Sequence, residues 1–160
     1  MKKIAMLILA GMLIICLAAC ADSSEKKATE KSTSSLDGLI ELDVPNSFFN
    51  SKINEKDMDE HGNITEERWY DEGIMLSAAI IEDDMDIKTF IEGSQTKEET
   101  YGNNTVYMEQ FSEKASKYMR SCFVESHNHI IQIDWSSQEE ALTKDDIEMF
   151  HKILENMKIL

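Results

Sequence analysis

From Ile4 to Ala19 the chain carries no charged residue, and the two residues before that run are Lys2 and Lys3. A helix that crosses a bilayer needs ~20 apolar residues, so the run is slightly short for a span. A basic start, an apolar stretch and then small residues is instead the order of a secretory leader. This feature constrains the fold most, because it takes residues 1–19 out of the folding problem. The next stretch, Ala21 to Ser35, has no aromatic and no large aliphatic side chain. It buries too little apolar surface to fold alone and is expected to be a disordered tether. Residues 36–160 are left as one globular domain, long enough to bury about two thirds of its unfolded surface.

The leader ends in Leu17-Ala18-Ala19-Cys20, a leucine three residues before a cysteine with two small residues between. This resembles the bacterial lipobox. The resemblance implies cleavage between Ala19 and Cys20 and a diacylglyceryl group on the Cys20 thiol. Each buried methylene contributes ~0.8 kcal/mol and one chain holds only marginally, so stable anchoring takes a second. The expected location is the extracytoplasmic face of a cell membrane, with residues 20–35 as lipidated cysteine and tether.

Charge narrows the partners. The full chain has a formal net charge of −15, and removing Lys2 and Lys3 with the leader leaves 14 basic against 31 acidic residues, or −17. Nucleic acid is excluded as an expected ligand, since duplex binding depends on a basic surface. Anionic headgroups repel such a domain as well, which holds it off the membrane to which it is tied. The cysteines are Cys16, Cys20 and Cys122. With Cys16 in the leader and Cys20 acylated, Cys122 has no internal disulfide partner.

Hydrophobic periodicity then outlines the domain. Ile40, Leu42 and Val44 alternate as a strand that Pro45 ends. Ile64 to Tyr70 and Ile74 to Ile81 form a strand pair around Asp71-Glu72-Gly73. Asp84 or Asp86 caps a helix with Ile87, Phe90 and Ile91 on one face, and Gly102 suits its end. Thr105 to Phe111, Tyr118 to Val124 and His129 to Trp135 read as three further strands, the last two joined by a hairpin through residues 125–128. Ser137-Gln138-Glu139-Glu140 and Thr143-Lys144-Asp145-Asp146 have the capping-box pattern. Ile147, Phe150, Leu154 and Met157 recur at helical spacing, predicting a helix from about Lys144 to Asn156. The fold class expected is α+β, an antiparallel sheet of about five or six strands with two packed helices.

That order has a Val-Pro-ended first strand, a Trp-bearing hairpin, a helix, a meander and a last helix closing on Leu154-Glu155-Asn156-Met157-Lys158-Ile159-Leu160. It resembles the PsbP-like fold over about residues 38–160. The resemblance implies a PsbP-like sandwich and a role in binding other macromolecules rather than catalysis.

Three acidic or histidine-bearing stretches bear on metal chemistry. Asp57 to Ile64 matches a calcium loop at its first and third acids and its glycine, but His61 and Arg68 stand where two oxygen ligands belong. His127 and His129 would share a face of a strand, yet no third ligand completes a zinc spacing. Residues 82–86, Glu-Asp-Asp-Met-Asp, read as a loop and a helix N-terminus. No metal site and no cofactor are expected. Cys122 lies in an apolar run and reads as core, with His127 or His129 as the bases that a catalytic thiol would need. Trp69, Tyr70, Tyr107, Phe111 and Trp135 read as core or cross-strand residues, with a groove lining as the alternative. No catalytic residue is assigned, and an enzyme is not expected. The expectation is a lipid-anchored envelope lipoprotein acting as a protein-binding or accessory module. The alternative is a small-ligand or cation-binding lipoprotein using the loops around residues 57–63 and 82–86.

Overall fold

The computed structural model describes residues 30–50 and 54–160. The leader, Ala19, Cys20 and the tether as far as residue 29 lie outside the described residues. The fold is α+β, built on antiparallel strand pairs throughout. A small sheet pairs β1 (Glu30–Ser35), β2 (Ile40–Pro45) and β10 (Lys158–Ile159), in the order β1-β2-β10. A larger sheet has seven strands: β3 (Asn54–Met58), β4 (Ile64–Asp71), β5 (Ile74–Asp83), β6 (Thr96–Tyr101), β7 (Asn104–Glu109), β8 (Met119–Ser126) and β9 (His129–Ser137). Its spatial order is β3-β4-β5-β9-β8-β7-β6. The helices are α1 (Asn46–Asn50), α2 (Ile87–Phe90) and α3 (Lys144–Asn156). None of the helices among the described residues is long and apolar enough to cross a membrane.

Alternation on the strands creates two cores of unequal size. Ile131, Ile133 and Trp135 of β9, with Leu76, Ala78, Cys122 and Val124, point to one side of the large sheet. There they meet Ile40, Leu42 and Val44 of β2, Phe48 of α1, and Phe150, Ile153 and Leu154 of α3. Residues of opposite parity, Phe123 and Ile130, join Tyr107 and Ile87 in a smaller cluster on the other side, where Phe90 meets Phe123 edge-on at 5.4 Å. That second face also carries polar side chains; Gln132 donates there to Asp134 at 2.9 Å and to Ser121 Oγ at 3.2 Å. An antiparallel sheet with one dry and one wet face follows from such a pattern.

The C-terminal helix forms where its caps and apolar spacing put it. Thr143 Oγ1 accepts from the Asp146 backbone N–H at 3.2 Å, and Asp146 Oδ2 accepts from the Thr143 N–H at 2.7 Å. Phe150 and Leu154 are fully buried as the spacing predicts, but Ile147 is only half-buried and Ile153 takes its place in the core. At the other end Asn104 Nδ2 donates to the carbonyls of Leu154 and Met157, at 3.2 and 2.7 Å. The neighbouring Gly102, at φ +58°, lies so close that an added Cβ would sit 2.4 Å from the Glu155 carbonyl oxygen.

Several elements differ from the sequence expectation. Glu30–Ser35, expected to belong to the tether, is a strand, because β1 needs only backbone partners and β2 supplies them from Ser35↔Ile40 to Glu30↔Pro45. The helix capped by Asp86 stops at Phe90; Gly93 turns at φ +80° and Thr96–Tyr101 becomes a strand on β7. Ser137 accepts from the Glu140 N–H at 3.3 Å, yet no helix follows, because the Leu142 N–H is drawn to the Lys117 carbonyl at 2.7 Å. Asn46–Asn50 forms α1 and Asn54–Met58 forms β3, neither of which the periodicity outlines. The five or six strands and two helices expected thus understate both counts.

Truncating a buried Phe typically costs about 3–5 kcal/mol, so Phe150→Ala should lower unfolding stability by that order. Gly102→Ala forces a Cβ against backbone and should cost about 1–3 kcal/mol. Denaturant melts of the full chain check both; an unchanged midpoint for either would contradict this packing.

Candidate functional site

Two open clefts, each of about 500 Å³, lie at opposite ends of the strands. The first is built by the register of β5 on β9. Ile74 pairs with Ser137, and the Gln138 N–H donates to the Gly73 carbonyl at 3.1 Å. This fastens the β4–β5 turn to the loop that leads into α3. Asp71 and Glu72 from the turn, Glu139 and Glu140 from the loop, and Asp145 and Asp146 from the helix all line the resulting cleft. No lysine, arginine or histidine is among the lining residues. Asp146 is committed to the helix cap; the other five carboxylates have no basic neighbour in the cleft.

The floor beneath these acids is apolar: Pro45, Phe48, Ile74, Trp135 and Met149. Trp135 is held between Phe48 at 5.4 Å and Phe150 at 6.2 Å, ring centroid to ring centroid, and is 2% exposed. Its indole Nε1–H is buried without an acceptor among the described residues. A buried donor left in that state costs about 1–3 kcal/mol. The cleft therefore combines an apolar aromatic base, an anionic rim and one unsatisfied donor.

The second cleft gathers Leu36, Asp37, Leu39, Asp59, Asn63, Ile80, Glu82 and His129. It brings together parts of the 57–63 and 82–86 loops. Its acids are partly occupied. Asp59 accepts from the His61 and Asn63 backbone N–H groups and from Asn63 Nδ2, all within 2.9 Å, and the Asn63 bonds hold its carboxyl below the usual range. Asp37 Oδ2 accepts from the Ile64 N–H at 2.7 Å.

The remaining candidate residues fall elsewhere. Asp57 is ion-paired at 2.8 Å to Arg68, which occupies the position where a calcium loop has its last carboxylate. Glu66, bonded to Arg68 Nε at 2.6 Å, is the first cause holding that guanidinium firmly charged, with Asp57 adding to it. His127 does not share a strand face with His129: it sits at φ +49° in a two-residue turn with Asn128, and its Nδ1 lies 3.1 Å from Ser126 Oγ. No grouping of three His, Cys, Asp or Glu able to hold a metal ion occurs among the described residues. Cys122 is fully buried, and burial pushes its thiol well above the ordinary range. Trp69, Tyr107 and Trp135 are buried in the cores, while Tyr70 and Phe111 are half-buried. Ala19 and Cys20 lie outside the described residues.

The acidic cleft went unseen in the sequence because each of its parts has a local explanation: a hairpin turn and two capping patterns. The available signal was three adjacent acidic pairs, 71–72, 139–140 and 145–146. Only the pairing of β5 with β9 makes them neighbours.

A thiol this buried should resist alkylation. Peptide mapping after maleimide labelling should find Cys122 unmodified in the folded chain and fully modified in guanidinium. Rapid labelling of the folded chain would contradict its place in the core.

Comparison with family models, with curated proteins and with solved structures finds no match to this chain.

Proposed function

We propose that the protein is an extracytoplasmic lipoprotein, anchored to the cell membrane through acyl chains on Cys20, whose domain binds another envelope protein. The observation that carries the binding part is the cleft of carboxylates over an aromatic floor, a surface with unmet charge and an unmet donor. The anchoring part rests on the Leu17-Ala18-Ala19-Cys20 pattern. The two parts fit one geometry. Glu30 pairs with Pro45, a residue of the cleft, so the chain from the anchor enters the domain beside that cleft. Ten residue steps separate Cys20 from Glu30 and span at most roughly 35 Å in any conformation. The acidic cleft then works close to the membrane, where tethering raises the effective concentration of other residents of the same surface.

A PsbP-like sandwich is the finer architecture within this proposal, supported by the element order of β2, the Trp69-bearing hairpin, the meander β7-β8-β9 and the closing helix α3. A second reading, a small-ligand or cation-binding lipoprotein, draws support from the meeting of Asp37, Asp59, Glu82 and His129 in the other cleft. The hydrogen bonds already made by Asp37 and Asp59 weigh against it.

Replacing Cys20 by serine removes the acceptor for the lipid. Fractionation of cells expressing Cys20→Ser should show uncleaved precursor or released protein, with loss of membrane-bound partners. Retention of those partners and of full cellular activity would overturn the tethered mechanism.

A further inference from the structure

We propose that the acidic cleft takes a basic, extended segment of a partner polypeptide, with lysine or arginine side chains along the half-buried Ile74 and Met149. This deepens the binding-module reading and rests on it for the choice of cleft. Three observations select the occupant. The rim residues Asp71, Glu72, Glu139, Glu140 and Asp145 carry negative charge with no cation among the lining residues. The apolar floor matches the hydrocarbon stem of lysine or arginine, which lies along such surfaces while its charged head stays among the acids.

The third observation separates a peptide from a simple cation. The Trp135 Nε1–H is a buried donor without an acceptor among the described residues, and a metal ion or polyamine offers it none. A peptide main chain brings carbonyl oxygens together with its cations. Met149, half-buried and flexible, lines the same wall and can shift to let a carbonyl approach. An inorganic or organic anion would satisfy the indole, but the five carboxylates repel it.

The test is a titration of the full-length chain in detergent, labelled with ¹⁵N, using the acetylated, amidated peptide Ala-Lys-Ala-Lys-Ala-Lys. The chain has two tryptophans, Trp69 and Trp135, so the indole region holds two resonances, and Trp69 lies away from the cleft. One indole N–H resonance should move in a saturable way, while the norleucine version of the peptide should leave both in place. Calorimetry supplies a second measurement that needs no assignment. Neutralising Asp71, Glu72, Glu139 and Glu140 together, as Asn and Gln, should weaken the peptide about tenfold, as the loss of several exposed ion pairs requires. Neutralising the exposed Glu60, Glu92, Glu113 and Glu155 removes the same charge from elsewhere and should change affinity less than about threefold. Equal weakening by both sets would reduce the effect to net charge and overturn the proposal. Equal binding of spermidine, with the same indole shift, would overturn the peptide as occupant. No binding of either probe would remove the site. The titration needs no acyl group, so its failure leaves the anchoring reading to the Cys20→Ser experiment.

Discussion

Everything in this fold that faces inward depends on the register of β5 against β9, the central pair of the seven-stranded sheet. Leu76 opposite Trp135 and Ala78 opposite Ile133 put the apolar members of both strands on the side that meets α3 and β2. A slip by one residue would turn Gln132 and Asp134 into the core and Trp135 out of it. The same register sets Ser137 opposite Ile74, and thereby the loop after β9 against the β4–β5 turn. Core and cleft are consequences of one pairing. The register shift between Ile80 and Glu82 falls at the far end of that pair, beside the second cleft.

The small sheet closes the core by other means. β1 and β10 pair antiparallel with β2 on its two sides, and Lys158 Nζ donates to Glu41 at 2.6 Å. The turn between β1 and β2 places Leu36 and Asp37 at φ +53° and +54°, conformations that cost about 1–3 kcal/mol each outside glycine. Two contacts offset that cost: Leu36 is 1% exposed in the main core, and Asp37 accepts from the Ile64 N–H. At the C-terminal end of α3, the Asn104 side chain and the close approach of Gly102 fix the β6–β7 turn to the helix. The β-sheet edge and the helix terminus therefore support each other.

What the sequence made legible and what it hid follow one physical line. Elements whose burial comes from their own periodicity were readable: the 40–44 strand, the hairpin around Asp71-Glu72-Gly73, the meander strands and the helix capped by Thr143. Elements that exist only because a neighbour offers backbone partners were not, which is why β1, β3 and β6, rich in Ser, Thr, Lys and Glu, escaped. Glu67 is an extreme case. It is 2% exposed on the Trp69 side of β4 and ion-paired to Lys56 of β3, a burial that no pattern rule anticipates for a glutamate. The cleft was hidden for the same reason as β3: its acids are local signals for turns and caps, and only tertiary pairing gives them a shared surface.

In the proposed function an anchor at Cys20 and a short connection hold an anionic cleft beside the point where the chain enters the domain. An acidic domain held near anionic lipid is repelled by the headgroups, so a basic segment of a membrane-resident partner is the complement such a cleft can meet there. The most direct measurement is in-cell photocrosslinking from a probe residue placed at Glu72 or at Glu140, with mass spectrometry of the joined peptides. The account predicts crosslinks to lysine- or arginine-rich segments of a membrane protein, lost when Cys20 is replaced by serine. Crosslinks obtained only from positions around the second cleft, such as Glu82, or undiminished by loss of the anchor, would contradict it.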